Sequence, residues 1–183
     1  MHSNERTAGR RISRALLALA FACASWQAHA DKPYRYYKVG DPAAPVSVKA
    51  PASRSYVMMG GGLEVDEAFR WMIKQAGVTR FSGGRFLVIR ATGDDAYNQY
   101  LFSATCPYST CVDGASLGLT SVETLVIPSR DAANHDDVIA IVSRANVLWI
   151  AGGDQSDYIN FWKGTGLEQA LNGCSAAMSR SAD

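Results

Sequence analysis

The chain has 183 residues, 48% of them hydrophobic and 19% charged, with a formal charge of +1. That is the length and composition of one globular domain. The near-neutral charge supplies no field to draw in a nucleic acid or another polyanion.

Arg6, Arg10, Arg11 and Arg14 precede an apolar run over residues 15–24, which is too short to span a bilayer as a helix. Ala28-His29-Ala30 then sets small residues on either side of a bulky one. Basic flank, short apolar core and A-x-A site predict a signal peptide over residues 1–30, cleaved after Ala30, and a periplasmic or secreted protein with no membrane span. Arg10-Arg11 is a weak twin-arginine feature, because Ile12-Ser13-Arg14 fits that pattern poorly. Lipidation at Cys23 fits less well than plain cleavage. Losing residues 1–30 takes the formal charge from +1 to −2. Residues 31–54 hold four prolines and no helical period, which predicts an extended linker that packs poorly on the domain.

The domain is expected over residues 55–183. Tyr56-Val57-Met58-Met59 is a short apolar run ending in Gly60-Gly61-Gly62 and reads as a strand over 55–59. Val65, Ala68, Phe69, Met72, Ile73 and Ala76 then fall at core-facing helix spacing, with Glu64, Asp66 and Glu67 at the positive end of the helix dipole. Further strands are expected over 85–91, 122–127 and 146–151. Between them lie helices carrying Tyr97, Tyr100, Leu101 and Ala104, and then Val138, Ile141, Val142 and Ala145. A last helical stretch holds Ile159, Phe161 and Trp162, breaks at Lys163-Gly164-Thr165-Gly166, and resumes through Leu167, Ala170 and Leu171, with Thr165 and Glu168 spaced as a capping box. Fourfold alternation of strand and helix, with each strand a continuous apolar run, predicts an α/β fold whose parallel sheet is buried on both faces. Ligands in such sheets sit beyond the carboxyl ends of the strands.

The residues at those ends are therefore the candidates for chemistry. Gly60, Gly61 and Gly62 open the first helix, where free N–H groups could cradle an oxyanion or carboxylate. Their spacing is not a dinucleotide fingerprint, and no cofactor or metal is expected. Thr92 lies in the loop after the second strand. Gly153, Asp154 and Gln155 follow the fourth, where Asp and Gln could bind an amide or guanidinium; Asp154 is equally suited to capping a helix. Ser129 and Ser156 lack a nearby base and read as caps or turns. His135 reads as a solvated residue at a helix start. Cys106 and Cys111 flank Pro107-Tyr108-Ser109-Thr110, a turn-rich stretch that a disulfide could staple, and export permits one. This leaves Cys174 odd.

The segment LWIAGGDQSDYINFWKGTGLEQAL, residues 148–171, resembles the part of cyanophycinases that leads towards their nucleophile. YVMMGGG with its acidic helix start, and FLVIRATG from Phe86, are similar to that family's earlier strands in order and spacing. The resemblance covers residues 55–171. It implies a flavodoxin-like three-layer sheet of the class I glutamine amidotransferase-like kind. It also implies a serine peptidase related to dipeptidase E that cuts cyanophycin, an aspartate-backbone polymer bearing arginine, into aspartyl-arginine dipeptides. By the same resemblance Gln155 borders the substrate pocket and Gly61 or Gly62 is an oxyanion donor. The family's serine elbow should follow a strand after Leu171. Residues 173–183 contain no such strand, and Gly173-Cys174-Ser175-Ala176-Ala177 mimics the elbow only in letters. The expectation is a domain incomplete at its C-terminus, its tail a frameshift product, inactive as this chain. The alternatives are a peptide-binding module without catalysis and a truncated product without function.

Overall fold

The computed structural model describes residues 31–49, 55–60, 62–108 and 110–177, the last four as backbone only. The expected signal over 1–30 and the candidate Gly61 lie outside the described residues. In chain order the elements are β1 (Arg35–Gly40), α1 (Asp66–Gln75), β2 (Arg85–Arg90), α2 (Ala96–Phe102), α3 (Gly114–Leu117), β3 (Ser121–Val126), α4 (Arg130–Ala133), α5 (Asp136–Ser143), β4 (Val147–Ile150), α6 (Gln155–Trp162) and α7 (Gly166–Ala177). The strands form one sheet in the order β1-β3-β2-β4.

Three of the expected strands pair in parallel: β2 lies between β3 and β4, with Phe86 opposite Val122 on one side and Val147 on the other. All six residues of β3 are buried, as are the middle four of β2. Helices lie against both faces. Phe69 and Ile73 of α1 and Tyr100 and Leu101 of α2 pack on Phe86, Val88 and Val122. On the other face Val138, Val142, Trp162 and Leu167, from α5, α6 and α7, pack on Leu87, Ile89 and Leu125. The period-2 alternation of β2 and β3 sends successive side chains into these two layers.

The N-terminal part departs from expectation. Residues 55–59 form no strand. β2 and β4 pair directly with each other, so no slot remains between them, and the apolar run instead lines a groove beside the outer edge of β4. The edge strand β1 comes from the proline-rich stretch read as linker, and it runs antiparallel to β3, which makes the sheet mixed rather than parallel throughout. The stretch packs because its aromatic residues find hydrogen-bond partners on the domain. Tyr34 is only 5% exposed, and its hydroxyl donates to Asp137 at 2.7 Å, where Lys32 also lands at 2.7 Å. Tyr36 donates to Glu123 at 2.6 Å. Helix α7 runs on to Ala177, so the backbone from Gly173 continues the helix. Its expected capping box is replaced: Thr165 donates to the Trp162 carbonyl, and Glu168 accepts from the N–H of Gly164.

Glu123 is the largest polar side chain in the core, 1% exposed on β3. Arg144, the residue after α5, donates to both of its oxygens, and Ser121 and Tyr36 supply further hydrogen bonds. A buried carboxylate stripped of its cation is left uncompensated, at a typical cost of about 3 kcal/mol. Arg144→Ala should therefore lower the urea-unfolding free energy by about that amount. Adding Glu123→Gln to it should recover part of the loss. Equal stability of Arg144→Ala and the parent chain would show that Arg144 does not carry this charge.

Candidate functional site

Because β2, β3 and β4 are parallel, the loops that follow them open on one edge of the sheet. The start of α1 joins them there, since the hydroxyl of Tyr97 on α2 donates to Glu64 and that of Tyr100 to Asp66. Between these elements lies a cleft of about 460 Å³ whose lining includes Glu64, Asp66, Arg90, Tyr97, Tyr100, Tyr108 and Thr110.

Each wall has a local cause. Glu64 and Asp66 flank Val65, the N-cap of α1, where the helix dipole favours negative charge. Tyr97 and Tyr100 are three apart on α2 and so share one face. Phe69 meets both rings edge-on, at 6.5 and 5.9 Å between centroids. Arg90 ends β2 and folds back over Gly93, donating to the Asp94 carbonyl at 3.3 Å. A Cβ at Gly93 would come within 2.5 Å of that guanidinium, and its φ of +98° is one that glycine adopts freely. The Nε of Arg90 is buried and has no partner among the described residues. From β1, Arg35 donates to the Gly93 carbonyl at 2.7 Å and holds the loop from behind.

The electrostatics follow from this packing. Burial first, and then the hydrogen bond to the Glu64 carboxylate, push the Tyr97 hydroxyl up to about 12. Tyr100 is raised by burial and by Asp66. The donated Tyr100 hydrogen bond outweighs burial at Asp66 and holds that carboxyl below the usual range. The cleft thus presents two carboxylates, a guanidinium and neutral phenols.

The residues singled out from the sequence are distributed as follows. Gly60 and Gly62 are exposed, and a Cβ on either would meet nothing within 4 Å, so neither is pressed against a neighbour. Thr92 is exposed beside the cleft loop. Asp154 caps α6, accepting from the Ser156 N–H at 2.8 Å, and Gln155 is the exposed first residue of that helix. Gly153 makes room for Tyr158, whose hydroxyl donates to the Ala151 carbonyl at 2.7 Å. Ser129 caps α4 by accepting from Ala132, and His135 caps α5 by accepting from Asp137. Cys106 and Cys111 are bridged, their Cα atoms 6.2 Å apart. The cleft residues Glu64, Asp66, Arg90, Tyr97, Tyr100 and Tyr108 were not among the sequence candidates. The available signal was the pairing of two acids two apart with two tyrosines three apart, all beside strand ends.

A second hollow of about 620 Å³ runs along the outer edge of β4. It is larger and mostly apolar, with no charged lining residue, whereas the smaller cleft is lined by Glu64, Asp66 and Arg90. Among the described residues no group of three His, Cys, Asp or Glu could hold a metal ion, and no helix is long and apolar enough to cross a membrane. No protein-family model, curated protein or solved structure matches this chain.

Tyr34, Tyr36, Tyr97, Tyr100 and Tyr158 all hold their protons more tightly than free tyrosine, with burial the largest cause for each. The sign is fixed by linkage: a raised folded-state value gives stability that is complete below the unfolded value of 10.0 and is lost as the pH climbs through about 12. Absorbance at 295 nm should therefore fall short of eight tyrosinates until the fold opens in that window. Full amplitude in one phase, with the far-ultraviolet circular dichroism intact, would contradict this packing.

Proposed function

We propose that this chain is an exported, cyanophycinase-like domain that binds a peptide carrying arginine- and aspartate-like groups and does not itself cut it. One observation carries the reading. The cleft at the carboxyl edge sets Glu64 and Asp66 in the same hollow as Arg90, under tyrosine rings. A guanidinium side chain meets carboxylates and aromatic faces there, both of which attract it. A substrate carboxylate meets Arg90, whose buried Nε lacks a partner among the described residues. The finer fold that goes with this reading is flavodoxin-like, of the class I glutamine amidotransferase-like kind. The parallel trio β3-β2-β4 between two helical layers supports it.

The binding-only reading is favoured over hydrolysis by the state of Ser129 and His135. Ser129 is occupied as a helix cap, and His135, the only histidine after residue 30, accepts a backbone N–H from Asp137. Nucleophilic attack needs a hydroxyl paired with a base, and neither residue is so paired. The Cys106–Cys111 bridge supports export to an oxidising compartment.

Isothermal titration with an aspartyl-arginine dipeptide tests this. Asp66→Asn and Glu64→Gln should each weaken binding about tenfold, the scale of one charge-assisted hydrogen bond. Arg90→Gln should weaken the dipeptide while sparing arginine amide, which lacks the carboxylates. Absence of binding by the parent chain, or dipeptide release from cyanophycin dependent on one of its serines, would each overturn the reading.

A further inference from the structure

β4 ends the sheet and pairs with β2 alone. The Asn146 N–H turns inward to the Arg85 carbonyl at 3.0 Å, so the alternate residues Val147 and Trp149 turn their N–H and C=O groups outward. Among the described residues no other segment bonds to them. Such an edge is a template for a further strand, which proteins commonly blunt with charge or proline. β4 carries neither: it reads Val147, Leu148, Trp149 and Ile150, and Ile150 is 46% exposed. The hollow of about 620 Å³ lies along this edge and is lined also by residues 55–59. There Val57 and Met59 are half-buried while Tyr56 and Met58 are exposed, the period of extended chain, yet no ladder forms. The lining draws on both helical layers: Met72 of α1 packs with one and Leu171 of α7 with the other. That is the surrounding of a strand buried on both faces.

We infer that this hollow is a strand-addition site, which takes an extended, uncharged, apolar segment of another polypeptide, about as long as β4. Backbone and charge decide the occupant. The outward groups of Val147 and Trp149 call for an extended main chain, whose hydrogen bonds supply affinity while the hollow selects side chains. No lining residue is charged, so a charged segment would lose its water and meet no counter-charge. The volume lies in the range of peptide- and ligand-sized pockets, about 300–1,000 Å³. It therefore suits a single short segment better than the edge of a second folded copy, whose own β4 is hemmed by its residues 55–59. The hollow shares no lining residue with the cleft around Arg90, and the inference does not rest on the function proposed for that cleft.

The probe is a blocked, fluorescein-labelled Ser-Val-Ile-Val-Thr-Val-Ser peptide, titrated into the whole chain by anisotropy. Amide hydrogen exchange at Val147 and Trp149 is read with and without it. The peptide should bind, and both amides should exchange freely alone and about tenfold more slowly in the complex. Two further peptides, methylated on one or the other alternate set of backbone nitrogens, keep the side chains and lose the donors of one edge. At least one of them should bind about tenfold more weakly. Ile150→Lys and Met58→Glu, both at exposed positions, should each weaken binding about tenfold by placing a charge in the hollow, with the circular dichroism unchanged. Absence of binding by the parent chain, equal binding of both methylated peptides, or protection of the Val147 and Trp149 amides without peptide would each overturn the site. So would a dimer in sedimentation that Ile150→Lys dissociates, since a second copy would then cover the edge.

Discussion

The carboxylate of Glu123 lies where three parts of the chain meet. It points into the layer formed by α5, α6 and α7, takes two hydrogen bonds from Arg144 behind α5, and accepts from Tyr36 on β1 and Ser121 on its own strand. One residue on, Thr124 points to the opposite layer and bonds Asn98 of α2 at 2.7 Å. A slip of one residue in β3 would send Glu123 towards the aromatic side chains of α1 and α2, away from any cation, and would bury a bare charge. The pair of polar residues therefore does what apolar packing alone does weakly: it tells the two faces of a fully buried strand apart.

The register so defined is what aligns the functional edge. With Ile89 opposite Leu125 and Ile150, the carboxyl ends of β2, β3 and β4 finish level, and their loops open together. β1 shares the alignment in the reverse sense. Its first residue, Arg35, lies opposite Val126, and from there it reaches the Gly93 carbonyl behind the cleft. The edge strand is thus part of the site's support, although it contributes no lining residue.

Much of this is readable from residue pattern where the pattern is periodic and the partners are near in sequence. The stripe from Phe69 to Ala76, the buried runs of β2 and β3, the apolar run of the edge strand β4 (of which only Val147 is buried) and the break between α6 and α7 all follow from local spacing. Pairing between distant segments is not encoded that way. Tyr56-Val57-Met58-Met59 has strand propensity, yet it acquires no ladder because β2 and β4 bond to each other. Arg35 to Gly40 looks unremarkable beside four prolines, and it becomes a strand because Tyr36 finds Glu123 across the sheet. The cleft was hidden for a related reason. Tyr97 and Tyr100 have the spacing of core residues, and their rings are indeed packed, while their hydroxyls reach acids that read as ordinary helix-dipole partners.

The position of β1 also bears on the order in which the molecule can assemble. Its anchors are far along the chain: Tyr36 to Glu123 spans 87 residues, Lys32 to Asp137 spans 105, and Tyr36 to Arg144 spans 108. Contacts of such separation are made only after a large loss of chain entropy. The segment that carries β1 leaves the ribosome early and must then wait for α5 before it has anywhere to dock. Until then β3 has one bare edge and Glu123 lacks its partners. Folding of this domain is consequently a late, whole-chain event rather than a vectorial one, and residues 32–40 are the ones that close it.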